Sequence, residues 1–87
     1  MQVILFSTAF KKRYRKYLPN QRAHFKERLN LFETEPFHPL LNNHALHTPY
    51  DGCRSINMTG DIRAIYEPTR PDLAYFIKIG THPELYG

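Results

Sequence analysis

Cysteine and long apolar runs are scarce in this sequence of 87 residues. The single cysteine, Cys53, excludes an intramolecular disulfide and a cysteine-rich zinc site, and we expect it to be a small buried residue. A membrane-spanning helix needs a run of about 18 apolar residues, and the sequence has none. Its apolar start is too short for the core of a signal peptide, so we expect a cytoplasmic protein.

Acidic residues are also few: the sequence has eight aspartates and glutamates but twelve lysines and arginines. The formal net charge is +4, and five histidines add positive charge as the pH falls. This balance favours an anionic partner, either a nucleic acid or an acidic protein, over a membrane surface. A hydrophobic fraction of 41% suffices for one modest core, so we expect residues 1–87 to form a single domain.

The N-terminal half has the pattern of one strand followed by two helices. Residues 2–6 are apolar and β-branched, as in a strand, and Ser7 or Thr8 can cap the helix that follows. Pro19 interrupts the first helical pattern, Asn20 can cap a second helix, and Pro36 ends that second helix. The two apolar stripes have helical spacing and consist of Phe10, Tyr14, Tyr17 and Leu18 in the first helix and Phe25, Leu29 and Phe32 in the second.

The C-terminal half predicts strands. Residues 36–52 are rich in proline, asparagine and histidine and indicate a loop, whereas 53–58, 62–66 and 73–79 alternate as strands do. We expect Leu73, Tyr75, Ile77 and Ile79 to pack on the helices. Lys78 would then emerge on the uncovered face of the sheet. The fold class is therefore α+β.

The basic run Lys11-Lys12-Arg13-Tyr14-Arg15-Lys16 is the largest charge feature of the chain. Five cations within six residues favour contact with a polyanion, because each phosphate that is neutralised releases counterions. Lys11 and Lys12 are therefore candidate phosphate contacts. A solvated helix face remains the alternative interpretation.

The histidines match no zinc-binding spacing, and we expect neither a metal nor another cofactor. Instead His44, Asp61 and His82 fall in loops or at strand ends, where a rigid sheet can hold side chains together. Cleavage of RNA needs a base, an acid and positive charge at the phosphorane, and Lys78 would supply that charge. The alternative is a set of unrelated polar loop residues.

The closing segment, Gly80-Thr81-His82-Pro83-Glu84-Leu85-Tyr86-Gly87, is the most specific motif. With the preceding His44-Ala45-Leu46, Gly52-Cys53-Arg54, Asp61 and Ile65-Tyr66, it resembles the YafQ branch of the RelE/ParE toxin superfamily. The resemblance implies a helical hairpin on an antiparallel sheet of about four strands. It also implies a type II toxin that cleaves messenger RNA on the ribosome and is inhibited by a cognate antitoxin.

The resemblance also implies functional residues, because His44, Asp61, His82 and Tyr86 match positions of the family. Three positions depart from it: Asn57 stands where the family typically has histidine, Ile62 where it has tryptophan, and Lys78 where it has arginine. Asn57 cannot transfer a proton, and Lys78 keeps the charge without the bidentate fork of arginine.

On this interpretation His82 is the leading general acid or base, and His44 is the second candidate for proton transfer. Asp61 orients a histidine or serves as base. Lys78 stabilises the phosphorane. The candidates for substrate binding are Asn57, Tyr86, Arg54, Arg63, Lys11 and Lys12. The rival hypothesis is a toxin or binder of the ParE type, either directed at DNA gyrase or non-enzymatic, that an antitoxin neutralises.

Overall fold

The computed structural model describes residues 1–86. A five-stranded sheet has the strand order β1 (Val3–Phe6), β5 (Leu73–Gly80), β4 (Ile62–Arg70), β3 (Arg54–Thr59) and β2 (His44–Ala45). The first of these runs parallel to β5, and the other neighbours are antiparallel. None of the helices in residues 1–86 is long and apolar enough to span a bilayer. In chain order the elements are β1 (Val3–Phe6), α1 (Thr8–Arg15), α2 (Pro19–Thr34), β2 (His44–Ala45), β3 (Arg54–Thr59), β4 (Ile62–Arg70), β5 (Leu73–Gly80) and α3 (His82–Tyr86).

The helical hairpin forms where the sequence predicts it, with different details at the turn. The Ser7 hydroxyl accepts a hydrogen bond from the Phe10 N–H and caps α1. The second helix begins at Pro19, whose fixed φ suits the first helical position, so the expected cap at Asn20 was wrong. Leu18 precedes that proline and is 62% exposed, which removes it from the apolar stripe.

The main core lies between the helices and one face of the sheet. Phe10, Phe25, Phe32 and Phe76 are almost completely buried there. The Phe32 ring meets Phe76 edge-on, with 5.3 Å between centroids, and meets Tyr66 in the same way at 5.0 Å. Such edge-to-face pairs add about 0.5–1.5 kcal/mol each to the stabilisation that burial provides.

The sheet is mixed and has five strands, where an antiparallel sheet of about four was expected. The extra strand is β2, which pairs His44 with Ser55 inside the segment expected to be loop. Two residues carry no readable alternation, so β2 leaves no signal in the sequence. The pairing of β1 with β5 joins residues about seventy positions apart, for example Val3 with Leu73, and no local pattern encodes it.

A bulge in β5 decides which side chains reach the core. Ile65 pairs with Lys78 and Tyr66 pairs with Phe76, which leaves Ile77 as an extra residue. Ala74 and Phe76 therefore join Ile79 on the helix side, and the expectation that Leu73, Tyr75 and Ile77 pack there was wrong. Lys78 is exposed and shares the face of Ile65, opposite the main core.

A second, smaller cluster covers part of that other face. Cys53, Ile65 and Leu85 are buried there, with Tyr50 and Leu46 packed beside them. Burial raises the pKa of the Cys53 thiol, and the Glu67 carboxylate raises it further. Cys53 is thus a small buried residue, as the sequence predicts.

Candidate functional site

The C-terminal motif forms α3, on which the His82 and Tyr86 rings lie together at the surface. The Thr81 N–H donates to Glu84 Oε1 at 2.8 Å, while the Glu84 N–H donates to the Thr81 hydroxyl at 3.4 Å, which makes a capping box. A Cβ at position 80 would lie 3.1 Å from Glu84 Oε1, a tight contact with the carboxylate that caps α3. Gly87, the last residue of the motif, lies outside the described residues.

His82 and Tyr86 are exposed members of this motif, as are Pro83 and Glu84. His82 and Tyr86 are four residues apart on α3, so they share one side of the helix, and their ring centroids are 4.6 Å apart. Leu85, between them, is buried in the second cluster. The motif therefore divides into residues that build the helix and a histidine–tyrosine pair that faces outward.

Tyr50 connects this pair to Lys78. Its hydroxyl donates to the Leu85 carbonyl oxygen at 2.7 Å, and its ring meets Tyr86 edge-on with 5.3 Å between centroids. Lys78 Nζ lies 5.7 Å from the centroid of the Tyr50 ring, a cation–π contact. We call Lys78, Tyr50, Tyr86 and His82 the Tyr50 cluster.

Sequence reasoning missed Tyr50 because it lies in the loop before β3. The loop folds back at this point: the Tyr50 N–H donates to the His47 carbonyl at 2.8 Å, and the Tyr50 carbonyl accepts from the Cys53 N–H at 3.0 Å. An aromatic residue in a polar loop was the sole available signal. It predicts contact with something apolar but does not say what.

Arg63 and Asn57 lie next to the Tyr50 cluster. They are direct cross-strand partners, and Arg63 also pairs with Gly80 at the end of β5. Burial raises the pKa of the Tyr86 hydroxyl, Tyr50 raises it further, and the charge of Arg63 opposes both. Within residues 1–86, Asn57 Oδ1 and Arg63 Nε are buried without a hydrogen-bond partner, so the pair keeps one acceptor and one donor uncommitted.

His44 lies at the far edge of the same face. Its Nδ1 is 2.7 Å from the Asn42 carbonyl oxygen, which accepts a hydrogen bond from the Nδ1–H, so the lone pair of the neutral ring is on Nε2. His44, Ser55, Ile65 and Lys78 form one row across four strands. At a strand spacing of about 4.8 Å, the backbones of His44 and Lys78 are about 14 Å apart.

Asp61 lies in the turn between β3 and β4 and is exposed. Its electrostatic influence falls on Tyr17 at the end of the first helix. Burial is the main cause that raises the pKa of the Tyr17 hydroxyl. The charges of Glu84 and Asp61 raise this pKa further, whereas the charge of Arg13 lowers it. Among the described residues no hydrogen bond joins Asp61 to His44 or His82.

Arg54 lies on the opposite face of the sheet from the Tyr50 cluster. Its Nε donates to Asn43 Oδ1 at 2.7 Å, and its guanidinium is 5.3 Å from the centroid of Phe37. Asn43 in turn donates to the Tyr66 hydroxyl. Arg54 therefore ties the loop before β2 to the sheet and is not near the other candidates.

The basic run of α1 divides into two sides. Lys12, Arg13 and Lys16 line a cleft of about 350 Å³ between α1 and the end of β5, together with Lys78 and Glu84. We call this the basic cleft. Lys11 and Arg15 line a different groove, on the α2 side. Successive helical residues are rotated by about 100°, so positions 12 and 16 form one row and positions 11 and 15 another.

One ion pair links the basic cleft to α3. Arg13 Nη1 donates to Glu84 Oε2, while within residues 1–86 the three lysines of the cleft make no ion pair. No group of three or more His, Cys, Asp or Glu side chains is placed to hold a metal ion in this part of the chain. The site as described offers proton-transfer groups, fixed cations and aromatic surface.

Solved structures resemble the whole chain, although the sequence matches no protein-family model and no curated protein at a significant level. YafQ from E. coli is 23% identical over 100% of both chains, with a TM-score of 0.74. The E. coli DinJ–YafQ toxin–antitoxin complex matches at 25% identity over 99% of this chain and 98% of that one, with a TM-score of 0.72.

A YoeB/ParE toxin from Agrobacterium tumefaciens matches at 15% identity over 94% of this chain and 99% of its own, with a TM-score of 0.74. The strand, the helical hairpin and the mixed sheet are thus common to toxins of two named types. This agreement confirms the fold that the resemblance implies. The chain has the α+β fold of the YafQ-like branch of the RelE/ParE toxin superfamily.

Proposed function

We propose that this chain is a single-domain toxin of a type II toxin–antitoxin pair and that it cleaves messenger RNA bound to the ribosome. The Tyr50 cluster carries the proposal, because a chain of contacts through Tyr50 and Tyr86 links a lysine, Lys78, to a histidine, His82. The fold shared with YafQ supports the same conclusion. The cognate antitoxin, the ribosome and messenger RNA are the proposed partners.

The proposed reaction is an internal displacement at phosphorus. A base takes the proton of the ribose 2′-hydroxyl, and the 2′-oxygen forms a bond to phosphorus as the bond to the 5′-oxygen breaks. An acid gives a proton to that 5′-oxygen. The products are a 2′,3′-cyclic phosphate and a free 5′-hydroxyl, and no metal or other cofactor is required.

Lys78 is suited to stabilise the charge that develops on the phosphorane. Its ammonium is exposed, yet the face of Tyr50 restricts where it lies, so little reorganisation is needed when the phosphate arrives. Lys12 and Lys16, on the other wall of the basic cleft, extend the positive surface along the RNA backbone.

His82 is the leading acid or base, and Tyr86 beside it is suited to stack on a base. The phenol ring of Tyr86 is neutral, so it does not repel an anionic polymer. His44 is the second proton-transfer group, with a free Nε2. RNA must cross several strands to reach both histidines, and Asn57 and Arg63 lie on that route.

Cleavage of messenger RNA on purified ribosomes tests the proposal, with cleavage sites mapped for wild type and His82→Ala. We expect His82→Ala to lose most activity, by about 10²-fold or more. His24→Ala is the matched control, since His24 is an exposed histidine on α2. Circular dichroism checks folding. A folded His82→Ala variant with full activity would remove His82 from the mechanism, and Asp61→Asn tests whether Asp61 takes part.

The rival function is a gyrase-directed toxin or a binder without catalytic activity. Asn57 favours it, because an amide at that position cannot transfer a proton, and one structural neighbour carries ParE in its name. Inhibition of gyrase supercoiling, with no cleavage of ribosome-bound messenger RNA by the wild type, would establish this rival instead.

A further inference from the structure

A pocket of about 380 Å³ lies between the segment that follows α2 and the turn that joins β4 to β5. Phe37, Arg54, Tyr66 and Arg70 line it, and we call it the Arg54 pocket. Arg54 pairs with Tyr66, whose ring belongs to the main core, so this pocket lies on the face of the sheet opposite the Tyr50 cluster. It is therefore separate from the proposed cleavage site.

The side chain of Asn43 holds the walls of the Arg54 pocket together. Its Nδ2 donates to the Pro36 carbonyl oxygen at 2.8 Å and to the Tyr66 hydroxyl at 2.9 Å. Its Oδ1 accepts the Arg54 Nε–H at 2.7 Å. One amide thus fixes three of the groups that line the pocket, which is formed before any ligand arrives.

Two arginines bring positive charge to the pocket. The bond to Asn43 uses only the Nε of Arg54, and within residues 1–86 its two Nη groups make no hydrogen bond or ion pair. Arg70 is exposed and forms no ion pair in the same part of the chain. No carboxylate among these residues lines the pocket. Because a guanidinium presents paired N–H donors, two of them at one pocket favour a phosphate.

Tyr66 adds a donor from the core side. It is 4% exposed, and its hydroxyl accepts the hydrogen bond from Asn43. Among residues 1–86 the hydroxyl proton itself has no acceptor. Buried donors are normally paired, so this proton is available to an anion that enters the pocket.

Phe37 offers a flat apolar surface beside these charges. Its ring is 67% exposed, and the Arg54 guanidinium lies 5.3 Å from the ring centroid. The cation holds the ring in place, and the open part of the ring can stack on a planar group. A phosphate next to a planar aromatic group is the chemistry of a nucleotide, and the volume of the pocket suits a single one, since small-ligand pockets begin at about 300 Å³.

We propose that the Arg54 pocket binds a nucleotide, with its phosphate on Arg54 and Arg70 and its base against Phe37. A free nucleotide and a single nucleotide of an RNA chain share this chemistry. Because the pocket lies on the opposite face, its occupant leaves the Tyr50 cluster accessible. The proposal goes beyond the cleavage of messenger RNA and does not depend on it.

Titration of the full chain with adenosine 5′-monophosphate (AMP) up to about 10 mM, followed by nuclear magnetic resonance of the backbone amides, tests the proposal. We expect shifts at residues 36–37, 54 and 69–71 and none at residues 81–86. Arg70→Gln should weaken AMP binding by about tenfold, because it removes a charged pair of donors. Arg15→Gln is the matched control, since it removes the same charge from an exposed arginine on α1, and it should change the affinity less than about twofold. Equal losses in the two variants would overturn the proposal, because net charge alone would then explain binding.

The role of the base is tested separately. Phe37→Leu keeps an apolar side chain and removes the aromatic ring, so it should weaken AMP binding by about fivefold or more and leave the binding of ribose 5-phosphate unchanged. Circular dichroism checks that each variant is folded. Ribose 5-phosphate that binds the wild type as tightly as AMP does would overturn the proposal in favour of a site for phosphate alone.

A short single-stranded RNA without a terminal phosphate distinguishes the two sources of the nucleotide. Shifts at residues 36–37, 54 and 69–71 that depend on Arg70 and appear at lower concentration than with AMP would identify an RNA chain as the ligand. The same shifts at higher concentration than with AMP would identify a free nucleotide. Shifts confined to residues 81–86, or none at the Arg54 pocket with either probe, would overturn the proposal whatever the outcome of the cleavage assay.

Discussion

Tyr50 illustrates how one side chain can hold several functional groups in place. Its hydroxyl is hydrogen-bonded to the Leu85 carbonyl oxygen, its ring is nearly perpendicular to that of Tyr86, and the ammonium of Lys78 lies over the ring. It touches no part of the proposed reaction itself, so it is a positioning residue. Its removal should affect the groups around it together.

We expect Tyr50→Ala to lower cleavage by about tenfold or more, because Lys78 and Tyr86 lose the ring that orients them. Tyr50→Phe keeps the ring and removes one hydrogen bond, which costs about 0.5–1.5 kcal/mol in the free energy of unfolding. It should cleave nearly as fast as wild type. Urea unfolding and the ribosome assay measure the two effects, and a fully active Tyr50→Ala variant would contradict the positioning role.

Asn57→His should increase the rate of cleavage. General acid–base assistance contributes about 10²–10⁴-fold per group, and position 57 contributes none at present. The adjacent Arg63 charge disfavours a protonated imidazole, so the pKa of the new histidine should fall below its reference value of about 6.5. In a plot of cleavage rate against pH, the rate should rise as the pH increases through the pKa of the new histidine. Asn57→Gln is the non-titratable control, and an equal gain there would exclude proton transfer as the cause.

At the scale of elements, α3 depends on one carboxylate. The Thr81 N–H is the first cause that lowers the pKa of Glu84, followed by the Thr81 hydroxyl, while Arg13 lowers it further. Because the pKa in the folded chain lies below the ordinary value of 4.5, the stabilisation is complete above that value and is lost as the pH falls through the folded pKa.

Acid should therefore release α3 before the rest of the fold. Between pH 6 and pH 3 we expect amide exchange at residues 81–86 to accelerate, relative to α2, and the His82 and Tyr86 rings to separate. In Glu84→Gln the amides of residues 81–86 should exchange fast at all pH values. Glu27→Gln changes an exposed residue of α2 and should behave as wild type. Amide exchange followed by nuclear magnetic resonance measures this, and unchanged protection down to pH 3 would contradict it.

At the scale of the whole molecule, the cations of α1 lie on surfaces that surround the aromatic core. The aromatic core fixes α1 against β5, and α1 then presents cations to two different surfaces. Lys12, Lys16 and Lys78 are the cations of the basic cleft that make no ion pair within residues 1–86. Their number sets the salt dependence expected for RNA.

For single-stranded RNA the logarithm of the affinity should fall with the logarithm of the salt concentration with a slope of about −0.7 per phosphate neutralised. Three free lysines predict a slope of about −2. Lys16→Gln should reduce its magnitude by about 0.7, whereas Lys11→Gln should change it less. Anisotropy titrations between 50 and about 300 mM salt measure these slopes. The same change for both variants would mean that RNA covers both sides of α1.

The sequence by itself determined the parts of this protein that depend on neighbours within a few residues. The N-terminal strand, both apolar stripes apart from Leu18, and the position of His82 just past a strand follow from local periodicity and turn residues. The closing motif also indicated the fold that the solved toxins share. Its threonine and glutamate form a capping box three residues apart, a local interaction.

Tertiary structure decided what depends on contacts between distant residues. The Ser7 hydroxyl, for example, is bonded to the Ile77 carbonyl seventy positions away, and this contact helps to place α1 beside β5. The bulge that brings Ala74 and Phe76 to the core, the packing of Tyr50 against α3 and the division of the basic run into two sides all follow from such contacts. Local patterns cannot encode them, because their energies exist only when the whole sheet is assembled.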